Sequence, residues 1–198
     1  MIPRFLQLLA AMLLLAACAS SSPPPPADPA FVALGLRTVA IGPVAYATYQ
    51  PGEVCSAFID EDLRGAVALE LRRRGYEAVA VGNSVPRSFA GDTPAPLPGD
   101  LTPGGPELPA GTQGVLEVWI EEYFENTLCG WEGPKYLTMG AVGVLYAGSP
   151  PVEVWRGRAL SAEHGYYAPN DLIWLTTSRL AEQLLGSLPA GPAWAGQR

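Results

Sequence analysis

The sequence of 198 residues predicts a single α/β domain, of the α+β kind, with a mixed sheet of about five strands. Two observations predict it. The β-branched run Arg37–Val44 precedes a helical repeat and a second apolar run, which together are typical of a parallel β-helix-β unit. Later, two apolar runs are joined by Gly148-Ser-Pro-Pro, a sequence that favours an antiparallel hairpin. The predicted order is β-α-β-loop-β-β-β-α.

The helix of the first unit is predicted over Phe58–Arg74. Its apolar residues recur every four positions, acidic residues occupy the first turns, and three arginines occupy the last turn. This arrangement complements the helix dipole, and Gly75 supplies the left-handed stop. We expect Ser56 to cap the helix and the second strand to follow over Tyr76–Val81.

The carboxyl half supplies three strands and a helix. The third strand, Val115–Asn126, alternates so that one set of residues faces the core and the other faces solvent. The core set is predicted to be Leu116, Val118, Ile120, Glu122 and Phe124, and the solvent set Glu117, Trp119, Glu121, Tyr123 and Glu125. The remaining elements are predicted over Tyr136–Tyr146, Val152–Ser161 and, as a helix capped by Asn170 or Asp171, Leu172–Leu185.

The chain divides into four segments by composition. We expect a signal peptide over 1–17, a lipidated cysteine and Pro/Ser-rich tether over 18–30, the α/β domain over 31–189, and a tail over 190–198. Within the domain, the stretch 82–114 holds so many prolines that no helix survives there, and it is predicted to be a long loop.

The amino terminus predicts the compartment. Arg4 and the apolar stretch Phe5–Leu15 are typical of a signal peptide, and the stretch is too short to span a bilayer. Leu15-Ala-Ala-Cys18 resembles the lipobox of bacterial lipoproteins. That resemblance implies cleavage before Cys18, a diacylglycerol thioether on its sulfur and an acylated amine, as with palmitate. Because Ala19 rather than Asp follows, it also implies the periplasmic face of the outer membrane.

Charge and composition exclude some classes of partner. The net charge is −7, and Lys135 is the single lysine. So acidic a chain does not follow a nucleic-acid backbone, and it does not bind anionic lipid headgroups through basic residues. We expect the membrane to be contacted through the lipid, with a tether that reaches at most about 35 Å.

The two cysteines that remain after lipidation are Cys55 and Cys129. An even pair in an oxidising compartment favours a disulfide. If the first and third strands are parallel neighbours, both cysteines follow carboxyl ends at the same edge of the sheet. Two reduced buried thiols and a metal site are the alternatives, and the metal site lacks further ligands because His164 is the only histidine.

Catalytic, metal and cofactor sites are not predicted. His164 could act as a catalytic base, but the sequence contains no Gly-x-Ser-x-Gly nucleophile elbow. The glutamates of the third strand are more typical of a solvated face than of the paired carboxylates of a glycosidase. Aromatic residues crowd the carboxyl half and are divided between core and interface. Those chosen as partner contacts are Trp119, Tyr123, Trp131 and Trp155; Tyr166, Tyr167 and Trp174 belong to the same cluster.

Three patterns together resemble a group of periplasmic lipoproteins: Thr38-Val-Ala-Ile-Gly-Pro-Val, the helix end Leu71-Arg-Arg-Arg-Gly-Tyr-Glu-Ala-Val-Ala-Val, and Gly111-Thr-Gln-Gly-Val-Leu-Glu-Val. The group includes the curli-secretion channel lipoprotein, the Pel-type exopolysaccharide lipoprotein and the amino-terminal domain of TolB. The chain departs from it where the proline-rich stretch replaces a helix and where Thr112-Gln113 lacks the group's aspartate.

This resemblance implies a non-enzymatic lipoprotein that binds envelope proteins during assembly, secretion or transport, often as a homo-oligomer. The alternative is an auxiliary lipoprotein of an intermembrane transporter that binds a lipid or small ligand. An apolar cavity between sheet and helices would favour the alternative, whereas a solid core with an exposed aromatic patch would favour the binding of partner proteins.

Overall fold

The computed structural model describes residues 28–47, 58–82, 106–129 and 133–193. The segment 1–17, Cys18, Cys55, Trp131 and most of the proline-rich loop lie outside the described residues. The elements in chain order are α1 (Pro29–Ala33), β1 (Thr38–Ile41), β2 (Ala45–Tyr46), α2 (Ile59–Arg73), β3 (Glu77–Ala80), β4 (Gly114–Asn126), β5 (Lys135–Ala147), β6 (Val152–Gly165) and α3 (Pro169–Leu184).

The strands form one mixed sheet, as the sequence predicts. Its order is β3-β1-β4-β5-β6, with β2 beside β4 as a sixth strand. β1 pairs in parallel with both β3 and β4, whereas β4, β5 and β6 form an antiparallel meander. The predicted parallel neighbours and the predicted hairpin are therefore both confirmed.

The first predicted strand is interrupted. Hydrogen bonding stops after Ile41 and resumes at Ala45, and both pieces pair in parallel with β4. Gly42-Pro43 causes the break, because proline has no N–H to donate to the ladder. The sheet therefore has six strands rather than five.

Helices α2 and α3 cover one face of the sheet and pack against each other. The predicted i+4 residues of α2, which include Ile59, Leu63 and Leu71, are fully buried there. Burying each such side chain contributes about 1.5–3 kcal/mol. Gly75 has a φ of 86°, the left-handed stop that the sequence predicts. The predicted cap Ser56 lies outside the described residues, and Phe58 is the N-cap residue.

The sheet's other face has a small core of its own. Ala40, Val115, Trp119, Val142 and Val144 are buried on it. The sequences of β4 and β5 contain continuous apolar runs, and such runs are typical of strands that are buried on both faces of a sheet.

A bulge in β4 changes which residues face the helices. The pairing with β5 shifts between Ile120 and Glu122, so that one extra residue enters β4. Beyond the bulge the alternation is reversed. Tyr123 therefore packs against the helix-side core, and Phe124 is exposed, which corrects the predicted alternation.

Two helix boundaries differ from the sequence prediction. α3 begins at Pro169 with Ala168 as its N-cap residue, so Asn170 and Asp171 lie inside its first turn rather than capping it. Proline fits the first helical position because its φ is already fixed and its missing N–H is not needed there. The short helix α1 falls partly in the predicted tether, and the Asp28 side chain accepts a hydrogen bond from the Ala30 N–H.

The segment after α3 is tied to the end of α2. The Tyr76 hydroxyl donates to the Pro189 carbonyl over 2.7 Å, and the Gly191 N–H donates to the Arg74 carbonyl over 2.7 Å. None of the described helices is long and apolar enough to cross a bilayer.

Candidate interaction surface

One end of the sheet collects the starts of both long helices. Strands β1, β2, β4 and β6 all run toward this end, and β5 runs away from it. β1 and β2 stop opposite Leu116 and Ile120, so β4, β6 and the start of β5 extend beyond them. Because α2 follows β2 and α3 follows β6, both helices also start at this end. The chain enters β1 from α1 at the opposite end. We call the former the carboxyl end and the latter the amino end.

The exposed aromatic side chains lie at the carboxyl end. Among the described residues, six Phe, Tyr and Trp side chains are exposed, from Tyr166 at 85% to Tyr136 at 42%. All six lie near strand ends, helix starts or the loops between them at the carboxyl end. We call them the aromatic end: Phe58, Phe124, Tyr136, Tyr166, Tyr167 and Trp174.

On the face away from the helices, the meander contributes Phe124 and Tyr136. Strand register places Phe124 opposite Thr138, and Tyr136 opposite His164. The Tyr136 and His164 rings stack at 5.8 Å between centroids and 12° between planes. Leu160, also exposed, lies against Gly140 one row further in. The result is an apolar surface across three strands that no described helix covers.

On the helix side, the aromatic end consists of residues around the two helix starts. Phe58 precedes α2 and is 70% exposed, and Trp174 in the second turn of α3 is 67% exposed. Tyr166 and Tyr167 connect β6 to α3. The backbone at these positions belongs to helix starts or to a short connection rather than to a long loop, which lowers the backbone entropy lost on binding a partner.

The carboxyl end is also acidic. Glu61, Asp62, Glu122 and Asp171 are exposed there, and none of them is in an ion pair within the part of the chain that the structure describes. Burial, and then the charge of Glu61, raises the pKa of the Asp62 carboxyl. Arg158 and Arg179 lie nearby, but each is in an ion pair, Arg158 with Glu121 and Arg179 with Glu163.

Comparison with known proteins gives structural likenesses only. No family model matches the chain, and no curated protein matches it. Among solved structures, the PelC dodecamer of Paraburkholderia phytofirmans is 18% identical with a TM-score of 0.47, and 79% of this chain covers 90% of that one. Lipoprotein GNA1162 of Neisseria meningitidis is 16% identical with a TM-score of 0.44, over 76% of this chain and 99% of that one.

A minor lipoprotein of Acinetobacter baumannii is 10% identical with a TM-score of 0.37, over 77% of this chain and 92% of that one. Proteins named as lipoproteins thus recur among the similar structures. At these identities the likeness concerns the arrangement of helices and strands alone.

The structure divides the predicted partner contacts. Trp119 is 5% exposed and belongs to the second core, which corrects its prediction as a contact residue. Tyr123 packs against the helix-side core because of the bulge, and its hydroxyl donates to Glu125. Trp155 is half-buried on the helix face, where its indole N–H donates to Ser187 over 3.2 Å. Trp131 lies outside the described residues.

Sequence reasoning missed Phe124, Tyr136 and Phe58 as exposed aromatics. A bulge leaves no signal in a regular alternation, so Phe124 was predicted to face the core. The sequence predicts Phe58 as the first helical residue, whereas it lies at the N-cap. Tyr166, Tyr167 and Trp174 belong to the predicted aromatic cluster, and the predicted strand and helix ends already place the two tyrosines in the connection before α3.

The carboxylates of β4 do not converge on a catalytic site. Glu121 is in an ion pair with Arg158 over 2.7 Å, and Glu125 accepts a hydrogen bond from the Tyr123 hydroxyl on the opposite face. Burial raises the pKa of the Glu117 carboxyl. Within the described ranges, no three His, Cys, Asp or Glu side chains are grouped as a metal site. Cys129 follows β4 at the carboxyl end, half-buried, whereas the predicted partner Cys55 lies outside the described residues.

Proposed function

We propose that the chain is a lipid-anchored protein of the bacterial envelope that has no catalytic role and binds a partner protein through the aromatic end. One observation carries the binding role: the six exposed aromatic side chains of the described residues share one end of the sheet. Exposed aromatic groups held on rigid elements are typical of protein contact surfaces.

The anchor is supported by the sequence around Cys18, where an apolar stretch ends in Leu-Ala-Ala-Cys. Ala19 favours the outer membrane, with the domain on its periplasmic face. The tether would join the domain at α1, at the amino end. β4 has 13 residues and spans about 40 Å, so the aromatic end would lie on the far side of the domain from the lipid.

The packing of the core favours protein binding over the carriage of a lipid. Between the sheet and the helices, Ile41, Leu63, Met139, Leu172 and Leu180 are all fully buried at 0% exposure. A lipid carrier would need an apolar cavity in this layer.

The experiment treats anchor and surface separately. Cells expressing the full chain are labelled with radioactive palmitate, and the label is expected in the native protein and not in Cys18→Ala. A photo-crosslinking amino acid then replaces Trp174, and in a second strain it replaces Leu69, an exposed residue of α2 that lies outside the aromatic end.

A discrete crosslinked protein is expected from position 174 and not from position 69. Equal products from the two positions, or none from 174 and from Phe124 in a third strain, would contradict the binding role. If the native protein carried no palmitate label, the lipid anchor would be contradicted. The crosslinking result would still test the binding role, because it does not depend on the anchor.

A further inference from the structure

The charge around the aromatic end decides what kind of partner it fits. Each of four exposed carboxylates lies close along the chain to one of its aromatic residues. Glu61 and Asp62 follow Phe58 by three and four residues at the start of α2, Glu122 precedes Phe124 by two residues in β4, and Asp171 precedes Trp174 by three residues in α3. The cations that the structure describes in the same region are already engaged. Arg158 and Arg179 are in ion pairs with glutamates, and Lys135 is buried.

From the aromatic side chains and this charge together, we propose that the aromatic end binds a cationic protein segment, one that presents arginine or lysine side chains. This inference rests on the proposed function and names the chemistry of its partner. The aromatic side chains form the contact surface, and the carboxylates that are not in ion pairs favour a partner of positive charge.

Physical reasons favour this occupant over others. Arginine and lysine stack on the faces of tryptophan and tyrosine, because the negative face of the ring attracts the cation. Carboxylates beside the rings add charge-assisted hydrogen bonds and speed up encounter with a cationic partner. An acidic partner would be repelled by the same carboxylates.

The same charge argues against a membrane as the occupant. Tryptophan and tyrosine do lie at bilayer interfaces, but there they accompany basic residues when the lipid is anionic. Around Trp174 the neighbouring exposed charge is Asp171, and Glu61 and Asp62 stand in the first turn of α2. Anionic lipid would therefore be repelled from this end.

The test uses purified full-length protein in detergent and a short, fluorescent arginine–glycine peptide as the probe. A citrulline–glycine peptide of equal length removes the charge, and a glutamate–glycine peptide reverses it. Binding is measured by fluorescence anisotropy at low and at physiological salt.

Three double variants separate the contributions. Tyr166→Ala with Trp174→Ala removes aromatic surface and keeps the charge. Asp62→Asn with Asp171→Asn removes two carboxylates from the aromatic end. Glu77→Gln with Glu182→Gln makes the same change of charge with two exposed glutamates, one near the start of β3 and one near the end of α3, both toward the amino end.

We expect the arginine peptide to bind and the other two peptides not to bind. The first two variants should each weaken binding by about tenfold or more, and the amino-end variant by less than about twofold. Each change is at an exposed position, and thermal melting will verify that the variants fold like the parent.

Three outcomes would overturn the proposal. One is no binding of the arginine peptide, and another is equal weakening by the amino-end variant, which would mean non-specific attraction. The third is binding that the aromatic variant leaves unchanged, together with binding to phosphatidylglycerol vesicles that this variant abolishes. If crosslinking from position 174 still gives a discrete product in any of these cases, the surface has a protein partner of different chemistry and the proposed function stands.

Discussion

At the scale of single residues, Gly157 of β6 lies where the packing leaves no room for a side chain. A Cβ built there would lie 2.5 Å from the Leu184 carbonyl oxygen at the end of α3 and 2.5 Å from the Trp155 ring. The helix can approach the sheet this closely only because position 157 has no side chain.

Gly157→Ala is therefore expected to destabilise the protein by about 1–3 kcal/mol, since a backbone carbonyl must move. Gly143→Ala is the matched control. Gly143 is paired with Gly157 across β5 and β6, but a Cβ there would meet its neighbours at 3.5 Å, an ordinary contact distance. Denaturant unfolding of the two variants measures the difference, and equal losses would contradict this account of the packing.

Tyr76 gives the fold a dependence on alkaline pH. Burial raises the pKa of its phenol from 10.0 to about 12, against an opposing effect of the Arg74 charge. The folded chain thus holds this proton more tightly than the unfolded chain does. The resulting stabilisation is complete below a pH of about 10 and is lost as the pH rises toward about 12.

Tyr76→Phe is expected to lose about 1 kcal/mol at neutral pH, because the hydrogen bond to Pro189 disappears. Its stability should then fall less steeply than that of the parent between these two pH values. Chemical unfolding across the range measures this, with Tyr166→Phe, an exposed tyrosine, as the control. Parallel curves for Tyr76→Phe and the parent would contradict the assignment.

At the scale of elements, Arg64 joins α2 to the ends of two parallel strands. Its guanidinium donates to the Ile41 carbonyl over 3.1 Å, to the Gly82 carbonyl over 3.2 Å, and also to the Val81 carbonyl. The Ile41 carbonyl also accepts a hydrogen bond from the Val81 N–H over 3.0 Å, so Arg64 adds a second donor there and binds the carbonyls of the two residues that follow β3.

Arg64→Met keeps most of the side-chain volume and is expected to cost about 1.5–3 kcal/mol. Arg73→Met is the comparison within the same helix. Arg73 is exposed and lies 3.8 Å from Glu70, so its loss should change the free energy of unfolding by less than about 0.5 kcal/mol. Thermal or urea unfolding distinguishes the two, and similar small effects would show that the contacts of Arg64 are dispensable.

The elements also show what the sequence could predict and what it could not. Periodicity and stop signals placed α2 to within one residue at each end, because those signals are local. The sequence Gly42-Pro43 signals the end of β1. That the chain returns at β2 to pair with β4 again depends on contacts between strands and has no local signal. The bulge after Ile120 is also a property of pairing, and it decided which aromatic residues are exposed.

At the scale of the whole molecule, chain direction determines what lies at each end of the domain. The tether meets the amino end, whereas exposed aromatic side chains and unpaired carboxylates gather at the carboxyl end. The sequence composition shows that the chain is rich in aromatic and acidic residues, but it does not show which of them lie near one another. The residues concerned come from β4, β5, α2, α3 and the loop before α3. Only the topology of the sheet brings these segments to one end.

The same topology supports the predicted disulfide between Cys55 and Cys129. β2 runs parallel to β4, so the chain segments that follow Tyr46 and Asn126 leave the sheet in the same direction, with Tyr46 opposite Ile120, six residues before Asn126. We therefore expect the exported protein to form this bond, closing a loop of roughly 70 residues and adding on the order of 4 kcal/mol to the free energy of unfolding.

Cys55→Ala, Cys129→Ala and the double variant should all lose about the same stability, since each removes the same cross-link. A reductant should lower the melting temperature of the parent and leave the three variants unchanged. Maleimide labelling of the unfolded, unreduced parent provides the decisive readout. Labelling of both cysteines would mean two free thiols, and the domain would then depend on its apolar core without a cross-link.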